Sequence, residues 1–119
     1  MKIVVTGGRR YEDAERVWKT LSLLAPSAIA HGGQTGADRH ATDWARRHSI
    51  PCRAYEPDWN LGKSAGPRRN TTMLRDFKPD FVLAFPGGPG TADCVAQAIG
   101  FSVPFITVPS RAREQFSML

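Results

Sequence analysis

Three glycine-rich turns, each directly after a short apolar run, are the residues of this 119-residue sequence best suited to chemistry. They span residues 6–10, 31–36 and 85–91, and we call them the first, second and third glycine turns. Glycine allows a tight turn and a close approach to a ligand, and the N–H groups at a helix start attract negative charge. The turns therefore predict a phosphate-containing ligand. Its predicted contacts are Gly7, Gly8, Arg9, Gly32, Gly33, Gly87, Gly88, Gly90 and Thr91.

Two charged side chains near predicted helix starts extend this interpretation. Asp38 either caps a helix or accepts a hydrogen bond from a ribose hydroxyl. Arg69, followed by Asn70, lies in a first helical turn, where a cation opposes the helix dipole. Such a placement indicates an anion that the arginine meets, although a solvated arginine face is the alternative.

The loop over residues 57–66 is long for a connection between a strand and a helix. It is therefore a candidate lid or binding loop. Its Trp59 could stack on a nucleotide base, or it could cover the core as an ordinary aromatic plug.

Strand and helix patterns alternate along the chain. A helix capped by Asp13 ends at Ala25-Pro26, because its apolar residues recur at helical spacing up to that point. The other predicted helices span residues 37–47, 67–77 and 91–99, and the predicted strands span residues 2–6, 28–31, 52–55, 80–85 and 104–108.

This alternation predicts an α/β fold: a Rossmann-like, doubly wound, three-layer sandwich with a five-stranded parallel sheet. The expected strand order, 3-2-1-4-5, places the first and fourth strands side by side at the point where ligands bind in such sheets. The first and third glycine turns then face each other, with the second beside them. We expect one domain over residues 1–109 and a tail over 110–119.

Composition narrows the class of protein. With 41% hydrophobic and 23% charged residues, and without an apolar run of membrane-spanning length, the sequence predicts a globular cytoplasmic protein. Cys52 and Cys94 stand alone, so we expect free thiols and neither a metal nor a cofactor. The net charge of +5 admits nucleic acid as a partner, but several arginines flank the glycine turns, which favours a small anion.

The combined motifs resemble the SLOG superfamily, which includes the Lonely Guy (LOG) phosphoribohydrolases. The residues behind this resemblance are Pro86-Gly-Gly-x-Gly-Thr91, Arg69-x-x-x-Met73 and the strand before Pro86. Further motifs are similar to the YspA-like, cpYpsA-related branch. They are Thr6-Gly-Gly-Arg9, His31-Gly-Gly-x-x-Gly-Ala-Asp38, Asp58-Trp59 and Ala65-Gly-Pro-x-Arg-Asn70.

The resemblance implies binding of a nucleotide or a nucleotide-derived signal. LOG enzymes cleave the N-glycosidic bond of nucleoside monophosphates with an arginine and with a glutamate three residues after the motif threonine. Arg69 matches the arginine, but Cys94 occupies the glutamate position and Asp93 precedes it. A carboxylate stabilises an oxocarbenium-like transition state and a thiol does not. The candidate catalytic residues are therefore Arg69 with either Asp93 or Asp38.

Three functions follow as hypotheses. The first is a nucleotide-binding protein, with Asp38 on the ribose, Trp59 on the base, and Arg69 and Asn70 on the phosphate. The second is an N-glycoside-cleaving enzyme that uses the same pocket, and the third is a DNA-binding protein. LOG relatives form dimers, and we expect a homodimer here as well. Its interface would include the helices that contain Met73, Phe77, Val95 and Ile99.

Overall fold

A computed structural model describes residues 1–110 of the chain as strands and helices in strict alternation. The strands are β1 (Lys2–Thr6), β2 (Ala28–His31), β3 (Cys52–Ala54), β4 (Phe81–Ala84) and β5 (Phe105–Thr107). The helices are α1 (Ala14–Leu24), α2 (Ala37–Arg47), α3 (Ala65–Phe77) and α4 (Pro89–Gly100). A 3₁₀ segment (Trp59–Ser64) precedes α3. Apart from Ser110, the tail predicted over 110–119 lies outside the described residues.

The sheet has five parallel strands in the order β3-β2-β1-β4-β5, so the predicted topology is confirmed. At its centre, Val4 is in register with Ala30 of β2 on one side and with Val82 of β4 on the other. The chain winds outward in opposite directions from β1 and β4. The crevice between the carboxyl ends of these two strands is where ligands bind in sheets of this type.

Two layers of helices cover the two faces of the sheet. Because successive strand residues point to opposite faces, Ile3 and Val5 pack against α1 and α2, while Val4 packs against α3 and α4. The side chains of Ile3, Val4 and Val5 are completely buried. β1 is therefore the centre of both cores, and its carboxyl end is held rigidly between them.

The helix ends follow local chemistry. The Asp13 carboxylate accepts a hydrogen bond from the Arg16 N–H at 3.2 Å, so the predicted cap of α1 is confirmed. Ala25 ends the same helix in the left-handed conformation, with φ of 49°.

α3 and α4 each begin two residues before their predicted starts, at Ala65 and Pro89. The extra residues are Ala65 and Gly66 in α3 and Pro89 and Gly90 in α4, all of which the prediction assigned to loops. The loop predicted over 57–66 contains the 3₁₀ segment.

The packing changes one argument for a dimer. Met73 and Phe77 were predicted to lie on a surplus apolar surface, but they are buried against the sheet together with Val4 and Val82. Ile99 of α4 is 60% exposed, so the α4 part of the proposed dimer surface is accessible to a partner, whereas the α3 part is not. The homodimer stays a prediction.

No helix within residues 1–110 is long and apolar enough to span a bilayer.

The second glycine turn packs directly on the first, and Gly36 makes this possible. Its φ is +72°, and a Cβ placed there would lie 2.2 Å from the Gly8 carbonyl oxygen and 2.7 Å from that of Arg9. The Ala37 N–H donates a hydrogen bond to the same Gly8 oxygen at 3.2 Å. A side chain at Gly36 would therefore separate two turns that the backbone holds together.

Gly36→Ala should lower the free energy of unfolding by at least about 2 kcal/mol, because backbone strain and a main-chain clash act together. Urea unfolding followed by tryptophan fluorescence measures this loss. Gly100→Ala is the matched control, since a Cβ on this last residue of α4 meets nothing within 4 Å. Equal urea midpoints for the two variants would contradict the account of the turns.

Candidate functional site

A cavity of about 520 Å³ opens at the carboxyl ends of β1, β2 and β4, where the three glycine turns meet. Most of the side chains and turns predicted for the site line it. They are Gly7, Gly8, Arg9, Gly32, Asp38, Trp59, Arg69, Asn70, Gly88, Gly90, Thr91 and Asp93. The cavity thus brings the predicted anion-binding turns, two arginines and two carboxylates around one space.

Gly33 and Gly87 do not line this cavity. A Cβ on Gly33 would lie 2.8 Å from the Glu56 side chain, and a Cβ on Gly87 would lie 2.7 Å from the Gly8 nitrogen. Gly87 therefore allows the first and third turns to approach each other, and Gly33 allows the second turn to pack on the end of β3.

Several N–H groups of the first two turns are already engaged by the protein. The Gly8 N–H donates to the Pro86 carbonyl at 2.9 Å, and the Gly32 N–H donates to the Asp38 carboxylate at 3.2 Å. The Gly33 N–H donates to His31 Nδ1 at 2.9 Å. Gly8 and Gly32 therefore line the cavity with their backbone, but their N–H groups bond to the protein, so the predicted contact of Gly8 does not include its amide hydrogen.

Free amide donors lie instead at the start of α4. Gly88 is its N-cap, without a side-chain hydrogen bond, and Pro89 is its first residue. The N–H groups in the first turn of a helix have no acceptor within that helix, and Gly90 and Thr91 line the cavity. The macrodipole adds partial positive charge at the same point.

Arg69 reaches from α3 across the cavity to the second turn. Its Nη1 donates to the Gly32 carbonyl and, at 3.3 Å, to the Tyr55 carbonyl, while Nε donates to the Asn70 side-chain oxygen at 2.8 Å. Burial lowers the pKa of the guanidinium, and the nearby Asp38 carboxylate opposes this shift. Arg69 is thus a half-buried cation in a fixed position.

Asp38 is 4% exposed and lies in the first turn of α2. Its Oδ2 accepts hydrogen bonds from the N–H groups of Gly32 and Gln34, both at 3.2 Å, whereas its buried Oδ1 has no hydrogen-bond partner within residues 1–110. The N-cap of α2 is Gly36, so the capping alternative for Asp38 is wrong. The carboxylate instead holds the second glycine turn through these two hydrogen bonds.

The electrostatic state of Asp38 follows from its burial. Burial raises the pKa of this carboxyl to about 6, although the hydrogen bonds from Gln34 and Gly32 and the charge of Arg69 act in the opposite direction. The neighbouring His31 behaves conversely: burial, and then Arg69, lower its pKa to about 4. At neutral pH an ionised Asp38 therefore lines the cavity, and a neutral His31 lies behind it, in the lining of the groove with Arg46 and Cys52.

Asp93, and not Cys94, is the α4 side chain in the cavity. Its Oδ2 accepts hydrogen bonds from the Asn70 amide at 2.9 Å and from the Gln97 amide at 2.8 Å. Cys94 is completely buried in the core beside Met73, and burial raises the pKa of its thiol to about 11. The available carboxylate thus lies one residue before the glutamate position of LOG enzymes.

The 3₁₀ segment forms the outer rim of the cavity, with Trp59 60% exposed and Lys63 also in the lining. Asp58 caps the segment by accepting the Asn60 N–H at 3.1 Å. Sequence reasoning missed Lys63, although its position inside the candidate binding loop was a usable signal. It also missed Gln34, whose signal was its place between two glycines of the second turn.

Among the residues that the structure describes, no three His, Cys, Asp or Glu side chains are grouped so that they could hold a metal ion.

Asp38→Asn should change the pH dependence of stability. The raised pKa means that the folded protein holds a proton which the unfolded chain releases near pH 4, so ionising Asp38 costs stability as the pH rises from about 4 to about 6. The free energy of unfolding of the variant, relative to that of the wild type, should therefore rise over this range by up to about 3 kcal/mol.

Denaturant unfolding at a series of pH values measures this difference. The lowered pKa of His31 changes stability with pH in the opposite direction. It is present in both the variant and the wild type, so it cancels to first order in their difference. The control is Asp43→Asn, which removes an exposed carboxylate from the same helix. A difference between Asp38→Asn and wild type that stays constant from pH 4 to pH 7 would contradict the burial argument.

Comparisons with solved structures show the same fold. The X-ray structure of TM1055, a structural genomics target, matches with a TM-score of 0.68 and 19% sequence identity, covering 87% of this chain and 71% of that chain. UDP-GlcNAc 2-epimerase from Neisseria meningitidis, bound to UDP-GlcNAc, matches with a TM-score of 0.59 and 20% identity. This match covers 98% of the present chain but 35% of the epimerase. A search of curated proteins found no match.

A comparison with family models identifies the family of this chain. It is described as YspA, cpYpsA-related SLOG family (YAcAr), and it matches residues 1–62, which include the first two glycine turns and the start of the 3₁₀ segment. This match confirms the resemblance found in the sequence motifs. The chain belongs to the YspA, cpYpsA-related SLOG family.

Proposed function

We propose that the chain binds a nucleotide or nucleotide-derived ligand, containing a phosphate and a ribose, in the cavity between the three glycine turns. The main observation in its support is that one cavity contains both the amino-terminal turn of α4 and the half-buried cation of Arg69. The epimerase, of which this chain matches 35%, was solved bound to UDP-GlcNAc, and this supports a nucleotide as the class of ligand. This cavity has the position that ligands take in doubly wound sheets.

The phosphate would lie at the start of α4. There it meets the amides of Gly90 and Thr91, the Thr91 hydroxyl and the helix dipole, which together favour a compact anion. Arg69 adds a planar cation that can form charge-assisted hydrogen bonds. Arg9 and Lys63 lie along the same lining, so a second phosphate or another anionic group could be neutralised beside the first.

The ribose and the base would occupy the remaining walls. Asp38 lines the cavity, and its buried Oδ1 has no partner within residues 1–110, so a hydroxyl of the ligand would satisfy this oxygen once the side chain turns toward the cavity. Trp59 offers an exposed aromatic surface at the rim, where a base could stack. Both roles are those expected from the sequence, and the location of the two side chains in one lining supports them.

A second candidate function is hydrolysis of an N-glycosidic bond in the same cavity, and the position of Asp93 favours it. Its carboxylate lines the cavity, although Cys94 occupies the glutamate position of LOG enzymes. In such a reaction water adds to C1′ of the sugar, the bond from C1′ to the base breaks, and the base leaves with that electron pair and a proton. Asp93 would stabilise the positive charge that develops on the sugar.

Two further expectations belong to this proposal. The chain would act as a single domain in the cytoplasm, where its free thiols, exposed Cys52 and buried Cys94, remain reduced. It would also form a homodimer through the exposed apolar side chains near the end of α4 and on the edge strand β5. These side chains are Ile99, Phe101, Phe105 and Ile106.

Arg69→Ala should weaken nucleotide binding by at least about 1.5 kcal/mol, which is roughly tenfold in Kd, because the phosphate loses its charge-assisted partner. A thermal-shift panel of mononucleotides, NAD and ADP-ribose selects the tightest ligand, and calorimetry at fixed salt then measures its affinity. Gly32→Ala should act in the same direction, since its methyl group would lie 2.1 Å from Arg69 Nη1 and displace the guanidinium.

The control is Arg75→Ala, which removes an exposed arginine from the last turn of α3. Unchanged affinity in Arg69→Ala would exclude this residue from the site. Binding of duplex DNA in place of every small ligand would instead favour the nucleic-acid hypothesis. The same incubations, analysed for free base, test hydrolysis. Release of free base by the wild type that is lost in Asp93→Asn would identify an enzyme. Binding of the nucleotide without release of its base would support a sensor.

A further inference from the structure

Asn70 is a buried amide at the junction of the cavity with the seam between α3 and α4. It is 2% exposed, and its side chain contacts residues on both helices. The Oδ1 atom accepts a hydrogen bond from Arg69 Nε at 2.8 Å. The Nδ2 group donates to Asp93 Oδ2 at 2.9 Å and to the Gly90 carbonyl at 3.3 Å. A single planar group thus joins the cation, the carboxylate and the first turn of α4.

These partners fix the orientation of the amide. Nδ2 faces two acceptors and Oδ1 faces a donor, so a flip would place oxygen against the Asp93 carboxylate and hydrogens against the guanidinium. Both Nδ2 hydrogens are used within the protein. Direct pairing of Asn70 with the phosphate, which the sequence suggested, would require breaking these contacts.

We propose that Asn70 is a positioning residue that holds Arg69 and Asp93 in one fixed arrangement around the ligand. This inference rests on the proposed function of the cavity. With Nε bonded to Asn70 and Nη1 to Gly32, Arg69 Nη2 is left without a protein acceptor within residues 1–110. In the same way, Asp93 Oδ1 is left without a protein donor among these residues. Each functional group therefore keeps one polar atom for a ligand.

A second contact supports the Asp93 side of this arrangement. The Gln97 amide donates to Asp93 Oδ2 at 2.8 Å and to the Pro67 carbonyl at 2.9 Å, and its oxygen accepts the Thr71 hydroxyl at 2.6 Å. The Asp93 carboxylate is therefore held by donors from both helices. Asn70 alone extends the network to Arg69, because it accepts and donates at once.

The chemistry of the position requires an amide. A hydrocarbon side chain would leave Arg69 Nε without its partner, and Asp93 Oδ2 would keep the Gln97 amide as its one remaining donor among the described residues; losing these buried contacts is costly. A carboxylate could still accept from Arg69, but it would meet Asp93 as a second negative charge. Two carboxylates in contact cannot both ionise easily, so the pair retains a proton.

Asn70→Asp therefore gives a test with a pH signature. Calorimetry with the tightest ligand of the nucleotide panel should show binding at least tenfold weaker than wild type at pH 8. The ratio of the variant Kd to the wild-type Kd should fall toward one as the pH decreases to 5 and the carboxylate pair takes up its proton. Asp38 of α2, Arg9 of the first turn, and Asp93 and Cys94 of α4 also face Arg69. They are present in both proteins, so the ratio of the two Kd values removes the titration of Asp38.

Arg75→Gln is the charge-matched control, because it makes the net charge more negative by the same amount at an exposed residue in the last turn of α3. Its Kd should stay within about twofold of wild type at every pH. A pH-independent ratio near one for Asn70→Asp, in a protein whose wild type binds the ligand, would overturn the positioning role and leave the proposed function standing.

A measurement without ligand covers the case in which Asn70→Asp does not fold. In the wild type, the Arg69 Nε–H should exchange with solvent more than tenfold more slowly than that of the exposed Arg75, as seen by NMR of the arginine side chains. Loss of this protection in Asn70→Leu would support the contact, and equally fast exchange of the two arginines in wild type would overturn it. If no nucleotide binds the wild type, the proposed function fails and this exchange rate alone decides whether Asn70 holds Arg69.

Discussion

The peptide groups of Gly8 hold the site together. The Gly8 N–H bonds to the Pro86 carbonyl at 2.9 Å, and the Gly8 carbonyl accepts the N–H of Ala37 at 3.2 Å. One residue thereby ties the first glycine turn to the third and to the start of α2. Because Gly36 and Gly87 have no side chains, these contacts can form at backbone distance. The cavity exists only while the three turns remain in this arrangement.

This use of the backbone changes how an anion can be recognised. The amides of Gly8 and Gly32 serve the protein, so ligand recognition falls to the first turn of α4 and to the cations around it. The half-buried Arg69 is balanced by Asp38 and Asp93 on opposite helices, α2 and α4. A cation in such surroundings is partly neutralised before a ligand arrives, and this moderates the cost of its burial.

The sequence was sufficient to predict the fold. β1, β2 and α2 have the predicted bounds. The apolar patterns of β1 and β2 each end directly before a glycine, and the amphipathic pattern of α2 begins directly after Gly36. The starts of α3 and α4 were placed too late, since Gly66 and Gly90 suggested loop, although a first helical turn tolerates glycine and proline. The alternation of elements predicted a parallel sheet, and the expected order 3-2-1-4-5 is one of the doubly wound orders that this alternation allows.

The candidate site was predictable in its composition but not in its orientations. The chemistry of Arg69, Asp38 and Trp59 could be named from residue types and spacing. Which of Asp93 and Cys94 faces the cavity depends on how α4 packs against α3, and this is a tertiary property. For the same reason the sequence could not show that the polar atoms of Asn70 contact protein groups.

The most direct measurement of the central claim is a ¹H–¹⁵N NMR titration of the wild-type chain with adenosine 5′-monophosphate, with inorganic phosphate as the comparison. The account predicts that phosphate shifts the amides of Gly90 and Thr91, and that the nucleotide shifts these and also the indole N–H of Trp59. Shifts centred instead on the groove lined by Arg46 and Cys52, or spread evenly over the basic surface, would contradict it.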